Sequence, residues 1–162
     1  MNNSIEICVG RLTERQDNPI LVLMIPSFDK RGNLPPGIHD ATLKEIEQRF
    51  TSTPQRKRLL DGLKHLLENL KAAGCTTLYL DGSFITDKEM PEDYDCTWDP
   101  SGVTAALDKD ILKPLAERKA KYLGDIFVFM PENGGFPYLE YFQKDKDDNP
   151  KGIIKIDLRK PL

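Results

Sequence analysis

The strongest pattern in the chain is a stripe of apolar residues at helical spacing. Thr53 and Pro54 offer an N-cap and a first-turn proline for it, and Gly74 marks its end. A long amphipathic helix packed on a sheet is therefore predicted. Its first turn carries Arg56 and neighbouring basic residues, which favour a solvated basic face over an anion site. The stripe consists of Leu59, Leu63, Leu66, Leu70 and Ala73.

Two further segments have helical patterns. Thr42 and Glu45 fit a capping box before a short apolar stripe, which predicts a helix that ends before Thr51. Residues 103–122 predict a helix interrupted at Pro114, because proline fits the start of a second segment better than a helix interior.

Short β-branched and apolar runs predict the strands, and together with the helices they predict an α/β fold. It is a single domain, built on a mixed sheet with helices packed on one face. The segment from Phe28 to Ile38 is rich in glycine and proline, which predicts a loop. The predicted strands are Ser4 to Val9, Ile20 to Ile25, Thr76 to Leu80, Asp125 to Phe129, Tyr138 to Gln143 and Gly152 to Leu158.

A glycine-serine turn follows one of these strands and is itself followed by two aspartates. Gly82 lacks a Cβ, so the backbone can turn sharply there and approach a ligand closely. Such a turn, continued by Ser83, exposes backbone N–H groups suited to phosphate. Asp93 and Asp95 lie two apart, so in a strand they share one face. The pattern predicts one site for both features.

The paired aspartates need a positive charge. Two carboxylates roughly 5 Å apart repel by about 3 kcal/mol at an effective dielectric constant near 20. No Lys or Arg lies between Pro91 and Pro114 to neutralise them. Mg²⁺ takes carboxylate and phosphate oxygens, and two such ions about 4 Å apart would activate a hydroxyl and stabilise pyrophosphate. The alternative is a solvated turn in which Asp95 caps a neighbouring element.

With these motifs, the chain resembles the nucleotidyltransferase superfamily typified by DNA polymerase β, particularly its minimal bacterial members found in toxin–antitoxin operons. The resemblance implies that Gly82 and Ser83 hold the nucleotide phosphates and that Asp93 and Asp95 ligate the metal. A wider stretch, from about residue 25 to residue 158, is similar to an uncharacterised bacterial family of nucleotidyltransferase-like proteins. It implies a nucleotidyltransferase-like domain over residues 25–162, preceded by an N-terminal β appendage over residues 1–24.

The resemblance also implies a third carboxylate on a later strand. Asp125, Glu140 and Asp157 are the candidates, and Asp125 is favoured because it opens an apolar strand one helical segment after Asp95. The arginine and glycine that commonly follow the serine are replaced here by residues 84–87. Lys88 is then the candidate for the missing phosphate-contacting cation.

Composition narrows the class of protein. A net charge of −3 over 162 residues gives no global field to attract nucleic acid. Three widely spaced cysteines favour reduced core thiols, and two histidines without a C-x-x-C motif make a zinc site improbable. No signal peptide or apolar run of membrane-spanning length is present. We therefore expect a soluble cytoplasmic protein.

The sequence thus predicts Mg²⁺-dependent transfer of a nucleotidyl group from a nucleoside triphosphate to a protein or RNA hydroxyl. The expected setting is a toxin–antitoxin system, with a protein partner encoded by a neighbouring gene. The alternative is a noncatalytic binding module of the same fold, or an antitoxin-like partner protein.

Overall fold

Five strands form one mixed sheet in a computed structural model that describes residues 25–130 and 134–162. The strands are β1 (Gly37–Asp40), β2 (Thr77–Asp81), β3 (Tyr94–Trp98), β4 (Gly124–Val128) and β5 (Gly152–Asp157). Their order across the sheet is β1-β5-β2-β3-β4. The pairs β1/β5 and β3/β4 are parallel, whereas β2 is antiparallel to both of its neighbours. The predicted α/β class with a mixed sheet is confirmed, and β2, which ends at the Gly-Ser turn, lies next to β3, which carries Asp95.

Four helices accompany the sheet: α1 (Leu43–Phe50), α2 (Pro54–Ala72), α3 (Leu115–Tyr122) and α4 (Tyr138–Phe142). The capping box at α1 is formed, because Thr42 and Glu45 exchange side-chain and backbone hydrogen bonds. Thr53 caps α2 and Pro54 opens it, as predicted. Short 3₁₀ turns follow β2 at Ser83–Ile85 and precede α3 at Lys109–Leu112.

The core lies between the three longer helices and one face of the sheet. The leucine stripe of α2 is fully buried there, together with Leu78 and Leu80 of β2. Because side chains alternate along a strand, Tyr79 and Asp81 project from the opposite face. On that second face, Phe127 of β4 stacks on Tyr138 of α4, with ring centroids 4.6 Å apart.

Two predicted elements differ from the structure. Residues 138–143 were expected as a strand but form α4, because aromatic residues four apart share a helical face and Tyr138 and Phe142 both contact Phe127. Residues 103–113 contain no α-helix. Asp108 accepts a hydrogen bond from the Asp110 N–H, and this local contact closes only a 3₁₀ turn.

The remaining expectations have mixed outcomes. The predicted loop from residue 28 ends in β1, a strand that the sequence pattern missed. Outside the described residues lie the predicted strand Ser4 to Val9, most of Ile20 to Ile25, the appendage over residues 1–24 and Cys8.

Cys75 and Cys96 are buried free thiols. Within the described ranges, no helix has both the length and the apolar character needed to cross a membrane.

Candidate active site

Three adjacent strands place three aspartates side by side. Asp81 of β2 lies opposite Asp95 of β3, and Asp95 lies opposite Asp125 of β4. All three face away from the leucine core, because the residues next to them in each strand are buried in it. Asp93 stands just before the first residue of β3. The structure therefore brings Asp93, Asp95 and Asp125 together, and it adds Asp81, to which the sequence analysis gave no role.

Two lysines from distant parts of the chain contact this cluster. The Nζ atom of Lys119, in α3, contacts Asp93 and lies 3.1 Å from Oδ1 of Asp125. The Nζ atom of Lys151 donates a hydrogen bond of 2.6 Å to Oδ1 of Asp81. The local sequence lacks a neutralising cation, but the fold supplies two. Repulsion among the acids is thus relieved in part.

Asp95 is the carboxylate that neither lysine contacts. It has no ion pair and no side-chain hydrogen bond with any residue in the described part of the chain. Burial, followed by the charges of Asp81, Asp93 and Asp125, raises its pKa to about 6. The pKa of Asp81 is also raised by burial, although Lys151 opposes that shift. A cation beside Asp95 would be strongly favoured.

The Gly82 turn lies directly against Asp95. Gly82 has a φ of 86°, and a Cβ there would contact Oδ2 of Asp95 and come within 2.9 Å of its backbone nitrogen. Only glycine fits this close approach. Ser83 follows, and its hydroxyl makes no hydrogen bond to a described residue, so it is available to a ligand.

A buried arginine holds the loop after Ser83. Arg56 of α2 donates hydrogen bonds of 2.7 Å to the carbonyl of Phe84 and 2.8 Å to that of Thr86. It also contacts the carbonyl of Lys88. Arg56 is only 3% exposed, so it is a structural side chain rather than part of the solvated basic face expected from the sequence.

A cavity of about 630 Å³ opens between the Gly82 turn and the segment from α4 to β5. Both acidic and basic side chains line it. Lys88, the candidate phosphate-contacting cation, is exposed and does not line the cavity. Three other lysines line it instead. The lining includes Asp81, Gly82, Ser83, Asp95, Tyr141, Phe142, Lys144, Lys146 and Lys151.

The other two candidates for the third carboxylate lie elsewhere. Glu140 is exposed on α4. Asp157 pairs with Thr77, which begins β2, whereas Asp81 ends that strand. Asp157 also accepts a hydrogen bond of 2.8 Å from Arg159. Of the three candidates, Asp125 is the one that the fold places beside Asp95.

The donor set suits a hard divalent cation, because Asp93, Asp95 and Asp125 offer only oxygen ligands. No group of three or more His, Cys, Asp or Glu side chains within the described ranges is already arranged around a metal position. Lys119 explains part of this, since its ammonium stands where a cation would neutralise Asp93 and Asp125. Its side chain is 42% exposed, so it has room to turn towards solvent. A metal ion at these two residues would replace it.

Comparison with known proteins places the whole of this site in one family. A family model matches residues 26–157, which contain all five strands and every site residue described above. The chain belongs to the DUF6932 family, a family of unknown function. No curated protein and no solved structure matches it. Membership of DUF6932 assigns no activity, so the function of this member is argued from its geometry.

Sequence reasoning missed Asp81, Lys119 and Lys151. A signal for Asp81 was present, because strand alternation puts it on the face opposite Leu80 and next to the turn. No local signal marked the lysines. Lys119 is 26 residues from Asp93 and Lys151 is 70 residues from Asp81, so only the tertiary fold brings these pairs together, although Lys119 is six residues from its second partner, Asp125.

Proposed function

We propose that this DUF6932 member is a Mg²⁺-dependent nucleotidyltransferase, which moves a nucleotidyl group from a nucleoside triphosphate to a protein or RNA hydroxyl. One observation carries the proposal. Asp95 is a largely buried carboxylate flanked by Asp81 and Asp125 without a cation of its own, and it lines the same cavity as the Gly82 turn. Aspartates near the ends of adjacent strands, beside a glycine turn with backbone N–H groups suited to phosphate, suit a metal-bound triphosphate.

Each residue has a distinct role in this proposal. Asp93, Asp95 and Asp125 hold the metal, which when bound lowers the pKa of the acceptor hydroxyl and offsets charge on the leaving pyrophosphate. Backbone N–H groups at Gly82 and the Ser83 hydroxyl bind phosphate oxygens. Asp125 also faces the acceptor and takes part in its activation. Lys151, hydrogen-bonded to Asp81, keeps positive charge next to the phosphates.

A transfer assay tests the proposal. Purified protein is incubated with labelled nucleoside triphosphates and Mg²⁺, with RNA or with the product of a neighbouring gene as acceptor. Asp125→Asn should abolish transfer with little loss of stability. Glu140→Gln and Asp157→Asn serve as matched controls and should retain activity, because neither residue lines the cavity that Asp95 lines. If all three variants remain active, the three-acid mechanism is wrong.

A noncatalytic role is the second candidate, and the lysines favour it. Lys119 and Lys151 already neutralise much of the charge on Asp93, Asp125 and Asp81, so folding does not require a metal. Such a chain would serve as a binding module or as an antitoxin-like partner of a protein from a neighbouring gene. A wild-type protein that transfers nothing to any acceptor but binds such a partner tightly would support this role.

A further inference from the structure

The cavity has an aromatic wall, formed by Tyr141 and Phe142, as well as an acidic wall, formed by Asp81 and Asp95. Tyr141 of α4 lines it and is 62% exposed, which is unusual for a large aromatic side chain held in a helix. The next residue, Phe142, also lines the cavity but is only 2% exposed. One ring is therefore anchored in the protein while its neighbour is presented to the cavity.

Neighbouring rings hold Tyr141 in place. Its ring centroid lies 5.3 Å from that of Phe136 and 6.2 Å from that of Phe142. Phe142 in turn packs 6.2 Å from Phe127 of β4 and 5.7 Å from Tyr138. The aromatic contacts thus run without interruption from the sheet to the exposed ring. Such a ring loses little conformational entropy when a ligand stacks on it, because it has few rotatable bonds and is already braced.

The two walls of the cavity together define its ligand. Around Asp95 and the Gly82 turn, the cavity suits a metal-bound phosphate chain, as argued above. Its lining also includes the ring of Tyr141, Lys146, which has no ion pair with a described residue, and the carboxylates Asp145 and Asp148, which pair with Arg31 and Lys144. A ligand with phosphates at one end and a flat ring at the other matches both walls. Nucleotides have this composition.

We propose that Tyr141 is the platform on which the base of a nucleotide stacks, and that it sets the base preference of the site. The identity of the ligand as a nucleotide rests on the proposed function, whereas the stacking role does not require catalysis. Stacking uses the π-face that every base has, so it does not distinguish adenine from guanine by their edges. The larger purine rings cover more of the tyrosine. The site should therefore prefer purine over pyrimidine nucleotides.

Calorimetric binding of three probes in the presence of Mg²⁺ tests the platform. The probes are ATP, UTP and inorganic tripolyphosphate, which carries the phosphates without a base. Wild-type protein should bind ATP more tightly than UTP, and both more tightly than tripolyphosphate. Tyr141→Ala should weaken ATP binding about tenfold while leaving tripolyphosphate binding unchanged.

Two variants control for packing. Tyr141→Phe keeps the ring and should bind ATP like the wild type. Phe136→Ala removes a bracing ring that does not line the cavity, so its loss of ATP affinity should be smaller than that of Tyr141→Ala. Thermal melts of all variants check that the fold is retained.

The possible results separate this inference from the proposed function. Equal weakening of ATP and tripolyphosphate binding by Tyr141→Ala, or no binding of ATP by the wild type, overturns the platform. If the protein transfers nucleotide and Tyr141→Ala still prefers ATP as the wild type does, the platform is wrong and the proposed function stands. A base-dependent affinity that Tyr141→Ala removes, in a protein without transfer activity, supports the platform and contradicts the proposed enzyme.

Discussion

The environment of Asp95 couples folding to pH. The pKa of this residue is raised to about 6 in the folded state, chiefly by burial, whereas an aspartate in an unfolded chain loses its proton near pH 4. Between these values the folded state binds more protons than the unfolded state. The contribution of Asp95 to the free energy of unfolding is thus fully present below about pH 4 and is lost as pH rises through about 6.

We expect Asp95→Asn to remove this pH dependence. The shift of about two pKa units corresponds to roughly 3 kcal/mol, so the variant should become more stable than the wild type by an amount of that order as pH rises from about 4 to 8. Urea unfolding at several pH values measures it. Asp81, whose pKa is also raised by burial, is present in both proteins, and because its charge acts on Asp95, the difference reports Asp95 together with its coupling to Asp81. Parallel pH curves for the two proteins would contradict the prediction.

Gly82 is the residue at which the turn after β2 depends on close packing against Asp95. Gly82→Ala places a Cβ against Asp95 in a backbone conformation with positive φ, so we expect a loss of stability of about 2 kcal/mol or more. Ser83→Ala should leave the melting temperature almost unchanged, because the hydroxyl supports no described contact, but should weaken triphosphate binding.

Gly134 is the matched control for Gly82. It also has a positive φ, of 70°, but a Cβ there meets nothing within 4 Å. Gly134→Ala therefore places a side chain at positive φ without the clash, and thermal melts should show the smaller loss. If the two alanine variants lost equal stability, the contact with Asp95 would not be what excludes a side chain at Gly82. If Ser83→Ala melted as low as Gly82→Ala, the serine would be structural.

At the scale of elements, α2 positions the loop that follows the Gly-Ser turn. Arg56 donates hydrogen bonds to four carbonyls, those of Phe50, Phe84, Thr86 and Lys88. Arg56→Gln would leave several of these buried acceptors without donors, which should lower the free energy of unfolding by about 2–4 kcal/mol. Denaturant unfolding measures this change, and hydrogen exchange should show reduced protection in residues 84–88.

Arg58 is a control in the same turn of α2. It is exposed and donates no hydrogen bond to a described residue. Arg58→Gln removes the same charge and should change stability by less than about 0.5 kcal/mol. Equal destabilisation by Arg56→Gln and Arg58→Gln would mean that helix electrostatics, not the carbonyl contacts, account for the effect.

The sequence predicted elements best where one local signal determined them. The helix α2 has a cap, a proline and an apolar stripe that agree, and its predicted boundaries hold. The segment forming α4 has a pattern compatible with both periods, and tertiary contacts with Phe127 decide it. The position of Asp125 beside Asp95 was predictable because strand order follows chain order there, whereas its role stays a prediction. The lysine partners were not, since long-range pairing leaves no local pattern.

At the scale of the whole molecule, the fold balances an acidic site with lysines brought from elsewhere. The net charge of −3 does not describe this balance, because Asp81, Asp95 and Asp125 lie side by side on three neighbouring strands. Lys119 bridges Asp93 and Asp125, which are also the proposed metal ligands. Under the proposed function, the same carboxylates are neutralised either by this internal ammonium or by an external divalent cation. These two cations should compete.

We expect Lys119→Met to strengthen Mg²⁺ binding. Without the ammonium, Asp93 and Asp125 repel each other, so the variant should be less stable than the wild type by about 1 kcal/mol in chelator; partial exposure of Lys119 keeps this loss small. Millimolar Mg²⁺ should restore the stability, since a ligand that binds only the folded state stabilises it. Calorimetry should show a rise in Mg²⁺ affinity of about tenfold, equivalent to roughly 1.4 kcal/mol.

Lys121→Met tests whether the effect belongs to the site. Lys121 is on the same helix, and its Nζ lies 2.6 Å from Asp108 and 2.7 Å from Asp110. Its removal therefore changes the net charge equally but leaves the contacts of the aspartates around Asp95 unchanged. Its Mg²⁺ affinity should equal that of the wild type. If Lys119→Met and Lys121→Met bound Mg²⁺ alike, general electrostatics would explain any gain. If neither bound Mg²⁺ at all, the carboxylates would not form a cation site, and the noncatalytic role would become the better account of this fold.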